Sequence, residues 1–249
     1  MEYNMNDELQ VYRGKDYVIS KYITIHQPTL NEICDMGESK YYQMVYNLTA
    51  TPQSMKAQLW KMGIDYTEIT PYMLFYIMLY RVYSKEFTSI LFGDLDFQKF
   101  KLLKHLDDES IYLSQYINGE EVIIDEYTYT LIMDYLRKVH FIEKDERIPA
   151  NNATKMILIE DALDELKANE NKEYHSLLTN LISALVNSEG FKYNHSQVWD
   201  MKINAFMDSV KRISKIKNAE LLLQSGYSGF GINLKEIDKK QLDWLGELS

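Results

Sequence analysis

Carboxylates are the first residues in this 249-residue chain that could do chemistry. Asp94 and Asp96 sit in the run GDLD, Asp107, Asp108 and Glu109 are consecutive, and Glu120 and Glu121 follow. Brought together, such groups hold a divalent cation and support phosphoryl chemistry. Their spacing does not demand it, because acidic residues also gather at turns and helix starts. With 37 Asp+Glu against 27 Lys+Arg, the excess must lie on the surface. The histidines, His26, His105, His140, His175 and His195, share no H-E-x-x-H frame and no i/i+4 spacing. They read as surface or locally hydrogen-bonded residues. Cys34 has no second thiol with which to share zinc, and reads as a core thiol. Gly226, Gly229 and Gly231 spell G-x-x-G-x-G, but a helical pattern precedes them where a dinucleotide site needs a strand. They read as a helix stop and joint. These residues predict no enzyme: no catalytic residue, no metal and no cofactor.

Two further groups bear on partners. Lys211, Arg212, Lys215 and Lys217 cluster in KRISKIK, which could touch phosphates or an acidic protein. The chain carries a net charge of −10 and its C-terminal part is not basic, so the cluster reads as a solvated helix face rather than a nucleic-acid site. The chain also has 20 tyrosines, a residue that suits both core filling and protein interfaces. Its longest apolar run, Tyr72–Tyr80, spans nine residues where a membrane helix needs about twenty, so no membrane is implied. A lone cysteine and the lack of a signal-like N-terminus fit a reducing, cytoplasmic setting.

The elements that position these residues are mostly helices, since 10 Gly and 4 Pro leave little material for turns. Residues 16–25 read as short strands, with Tyr17, Ile19, Ile23 and Ile25 alternating. Thr29-Leu30-Asn31-Glu32 matches a capping box, and Gly37 is a stop. Thr51-Pro52 and Thr70-Pro71 each open a helix, to about Met62 and Ser84. The second of these is apolar nearly all round and predicts the buried centre of the N-terminal part, with Tyr72, Tyr76, Tyr80 and Tyr83 on one side. Residues 110–117 and 120–124 form a hairpin about Asn118-Gly119, and Asp125 caps a helix over 126–140.

The pattern stops over KDERIPANN, residues 144–152. Beyond it three amphipathic helices predict a bundle, with stripes Met156/Ile159/Leu163/Leu166, Leu177/Leu178/Leu181/Ile182/Leu185/Val186 and Ile203/Phe206/Met207/Val210/Ile213. The third is expected over residues 196–224. The fold class is therefore predominantly α with a minor β part (α+β). It divides into an N-terminal α+β domain (1–148), a helical bundle (149–224) and a Gly-hinged C-terminal segment (225–249). In that segment Leu234, Ile237, Leu242, Trp244 and Leu245 concentrate apolar surface and are the candidate partner-binding residues.

The runs PTLNEICDMGESKYY, LTATPQSMKAQLWKMGIDYTEITPYMLF, LFGDLD and VIIDEYTYTLIMDYLR, with the ending SGYSGFGINLKEIDKKQLDWLGEL, resemble proteins of tailed phages and prophages of Gram-positive bacteria. Such proteins include tail and baseplate assembly proteins and tail assembly chaperones. The resemblance implies a non-enzymatic morphogenesis protein that binds another tail protein, such as a long helical component, in the cytoplasm of the bacterial host. In that role apolar and aromatic grooves cover a client's apolar stripe until assembly, and the net negative charge keeps the complex soluble. The alternatives are a structural baseplate or connector subunit retained in the virion, and a metal-dependent enzyme or host-directed effector built on the acidic clusters.

Overall fold

The computed structural model describes residues 8–227, 231, 233 and 236–248. Helix α1 (Glu8–Tyr12) precedes a small hairpin of β1 (Tyr17–Val18) and β2 (Thr24–Ile25), with Tyr17 opposite Ile25. Helix α2 (Leu30–Met36) opens with the expected capping box: Thr29 Oγ1 accepts from Glu32 N–H, and the Glu32 carboxylate accepts from Thr29 N–H at 2.7 Å. Gly37 ends it at φ 93°, a conformation that favours glycine, and α3 (Glu38–Leu48) follows at once. Thr51 caps a single turn rather than a full helix, and α4 (Lys56–Lys61) begins later than its Thr-Pro signal predicts.

The central apolar helix is shorter than its sequence predicts. After α5 (Pro71–Leu74), capped by Thr70, residues Phe75–Leu79 form a π-helical turn and the chain then bends. A π turn takes in an extra residue and rotates the side chains that follow. Phe75 and Leu79 stay buried, but Ile77 and Val82 reach solvent. Ser84 precedes a separate helix, α6 (Lys85–Phe92), which lies beyond the expected helix and is itself unexpected.

The second sheet runs β3 (Lys101–Lys104), β4 (Ile111–Ile117), β5 (Glu120–Ile124), all antiparallel. Ile117 pairs with Glu120 across Asn118 (φ 52°) and Gly119 (φ 84°), the two left-handed positions a tight hairpin needs. The edge strand β3 had no alternation to announce it. Asp125 accepts from Thr128 N–H and starts α7 (Glu126–His140), which buries Tyr129, Ile132, Met133, Tyr135, Leu136 and Val139. Tyr129 meets Phe75 in a tilted ring contact, and Phe97 meets Phe75, Phe92 and Phe100 in edge and tilted contacts.

Residues 143–150 are irregular and mostly exposed. Helices α8 (Asn152–Asn169), α9 (Leu177–Val186) and α10 (Ile203–Tyr227) follow, then a short α11 (Lys239–Leu242). Among the described residues the chain is predominantly α with two small sheets. The expected three-helix packing differs in one member: α8 lies against α4, while α10 runs beside α7 and α9. Lys155 Nζ meets the Asp65 carboxylate at 2.5 Å in the α8–α4 region. Helix α10 also starts later than expected, because Met201 and Lys202 are extended. Leu30 N–H donates to Met201 C=O, and Ile203 N–H donates to Pro28 C=O. The Glu38 carboxylate caps α9, accepting from the N–H groups of Leu177 and Leu178 and from Ser176 Oγ. Ile159, Leu178, Ile182, Val198, Ile203 and Phe206 thereby join the same apolar cluster as the N-terminal residues.

Candidate partner-binding surface

The C-terminal segment reaches back to α10. Asp238 accepts from Lys240 N–H and starts α11, after which residues 243–248 run along the helix face. Arg212 Nη1 donates to Trp244 C=O at 2.5 Å and to Gly246 C=O at 2.9 Å, and Lys215 Nζ donates to Glu247 C=O at 2.6 Å. The segment is thus held by its main chain. Its side chains are left largely outward: Trp244 is 47% exposed and Leu245 72%. Ile237 and Leu242 are half-buried, and Leu234 lies outside the described residues.

The KRISKIK face is accordingly not merely solvated. Lys211 stands 4.8 Å from the centre of the Phe141 ring, and Lys217 donates to Ser188 Oγ. Asp208, one turn before Arg212, has its carboxyl pushed above its ordinary value by burial, with Arg212 opposing through space. The sequence carried no signal for this contact, since the cations meet main-chain carbonyls and not acidic side chains.

Two cavities border residues 246–248. One, of about 820 Å³, is lined by Lys215, Asn218 and Gln241. The other, of about 930 Å³, is lined by Val11, Phe141, Asn204 and Leu245. The segment therefore leaves space in the groove it occupies.

The acidic residues meet separate partners. Asp94 bonds Lys85, and that cation holds its carboxyl below the ordinary range. Asp96 caps the turn at Gln98, Asp108 binds Ser110, and Glu109 pairs with Lys104. Glu120 pairs with Lys21, and Glu121 accepts from Ser114 Oγ. Among the described residues no group of three or more His, Cys, Asp or Glu is placed to hold a metal ion.

Cys34 is exposed, against the expectation of a core thiol. Helix α2 turns Leu30 and Ile33 inward, and Cys34 follows about 100° further round. His140 is the histidine with a built environment. Its Nδ1 lies 2.7 Å from Leu136 C=O, which can only accept, so Nδ1 carries the hydrogen and Nε2 accepts from the Tyr41 hydroxyl at 2.5 Å. Burial pushes this imidazole down to about 4.

The tyrosines divide between the two roles their chemistry allows. Tyr72 donates to Ile124 C=O and Tyr135 to Lys15 C=O from within the core. Tyr116, Tyr127 and Tyr227 are at least 71% exposed. No helix among the described residues is long and apolar enough to cross a membrane.

No curated protein and no solved structure matches the chain. Residues 168–249, about a third of the chain, match the family model described as the YomV second domain, which takes in α9, α10 and the C-terminal segment. YomV is a Bacillus phage and prophage protein, and this similarity marks the chain as phage-related.

Proposed function

We propose that this chain is a non-enzymatic phage morphogenesis protein, an assembly chaperone that binds another tail protein while the tail or baseplate is built. The observation that carries the reading is the C-terminal segment. It is seated through the carbonyls of Trp244, Gly246 and Glu247, while the side chains of Trp244 and Leu245 face outward. An exposed Trp-Leu pair on a seated peptide is an anchor of the kind that dominates interface energy. The phage-related domain in residues 168–249 supports the setting, and the resemblance of the wider chain to tail assembly proteins supports the partner class. The site of action is the host cytoplasm.

Co-expression with a long helical tail component tests the reading. The two proteins are expected to co-purify, and Trp244→Ala is expected to remove most of the client. Retention of the client by a Trp244→Ala, Leu245→Ala double variant would contradict the role given to this surface. Stoichiometric presence in purified virions would favour a structural subunit instead.

A further inference from the structure

Three cations of α10 are paired unusually for a chain of net charge −10. Arg212 and Lys215 bond the neutral main-chain carbonyls of residues 244, 246 and 247, and Lys211 faces an aromatic ring. Among the described residues the ion pairs lie elsewhere, those of the neighbouring helices being Lys138–Glu8, Arg137–Asp134 and Lys202–Glu32. The groove over these cations is occupied by residues 236–248 but not filled, with cavities of about 820 and 930 Å³ bordering Gly246–Leu248.

We propose that this groove, between α10, the end of α7 and α1, is a peptide-binding seat that residues 236–248 occupy as a built-in strap, and that it takes an acidic segment of a partner protein in the strap's place. The strap is the template for that ligand. It is a short helix followed by a turn, carries Glu236, Asp238, Asp243 and Glu247, and is bound by donors that reach the carbonyls of residues 244, 246 and 247. A carboxylate reaching Arg212 or Lys215 adds the attraction of opposite charges to a hydrogen bond that now ends on a neutral oxygen. Side chains larger than those of the strap can also use the space it leaves. The strap's own Lys239 and Lys240 work against tight closure, since they bring like charge to a basic face.

The probe is a fluorescent peptide of residues 236–248 in which Lys239 and Lys240 are replaced by Glu, titrated into the full-length chain and read by anisotropy. Saturable binding is expected, about tenfold tighter than for the unmodified strap peptide. Hydrogen exchange of residues 239–248 in the protein is expected to rise as the probe binds. Arg212→Ala with Lys215→Ala is expected to weaken binding at least about tenfold, whereas Arg212→Lys with Lys215→Arg keeps most of it. Absence of saturable binding to the unaltered chain would overturn the proposal. So would equal binding to the alanine variant with its far-ultraviolet circular dichroism intact, or tighter binding of a single-stranded oligonucleotide than of the peptide at the same salt. The assay uses the chain alone, so its failure leaves the Trp244-dependent co-purification result standing, and the reverse also holds.

Discussion

Helices α7 and α10 both contribute to the apolar cluster, yet they use their length differently. Helix α7 has 15 residues and buries side chains from Tyr129 to His140, with sheet, aromatic cluster and α10 around it. Helix α10 has 25 residues but fully buries only Ile203, Asn204 and Phe206 in its first turn and Ala219 further on. An element enclosed along its length contributes stability along its length. One enclosed at its start is anchored there and presents the rest as surface. That surface is where the cations and the C-terminal segment meet.

The largest expected effect tests the anchor. Phe206 is fully buried, and Phe206→Ala is expected to cost ~3–5 kcal/mol in chemical unfolding. Met207→Ala, half-buried one position on, should cost clearly less. Equal small losses would place the start of α10 outside the core and remove the contrast with α7.

Acid tests the enclosure of α7. His140 is held neutral, its imidazole pushed from 6.5 to about 4 by burial. The unfolded chain therefore binds a proton that the folded chain refuses over that interval, and stability falls as pH drops from 6.5 toward 4. The full effect is roughly 3 kcal/mol. Urea midpoints measured across this window should decline in the native protein and flatten in a His140→Gln variant. Asp65 and Asp145, lowered to about 2 by Lys155 and Arg147, give a separate loss beginning only below 3.8. A decline confined to that lower window would show that His140 is not enclosed as described.

A smaller effect concerns how the C-terminal helices are held. Glu38 supplies the N-terminal cap of α9 from the distant α3, so Glu38→Ala is expected to cost ~1–3 kcal/mol. The loss should appear as faster hydrogen exchange in α9 before α7 responds. Smallest of all should be the effect of cutting the exposed link. Trypsin is expected to nick between Lys144 and Arg147, and the two pieces should still elute together without denaturant, because Ile203 and Phe206 share the core of the first part. Separation of the pieces would sharpen the division at residue 148 into independent domains.

Much of the local structure was legible in the residues. Thr29, Thr70 and Asp125 each cap a helix through an oxygen that reaches three residues ahead, and Asn118-Gly119 turns the hairpin by conformations few residues adopt. Such signals act within a few residues and can be read there. The docking of α8 on α4 is set by contacts distant in sequence, and the π turn at Phe75–Leu79 packs against the distant α3. At the candidate surface the apolar residues Trp244 and Leu245 were legible as a concentration of apolar area. Their seat was not, because Arg212 and Lys215 bind carbonyls, which every residue carries and no sequence pattern marks.

The most direct measurement compares the full chain with one ending at Tyr227. Among residues 236–248 no side chain is fully buried, so the segment adds little to the core. The thermal midpoint should move by no more than ~2–4 °C, the shift expected for about 1 kcal/mol in a domain of this size. The shortened chain should nevertheless lose co-purification with the tail client. A fall of many degrees, or a shortened chain that still holds the client, would contradict the account.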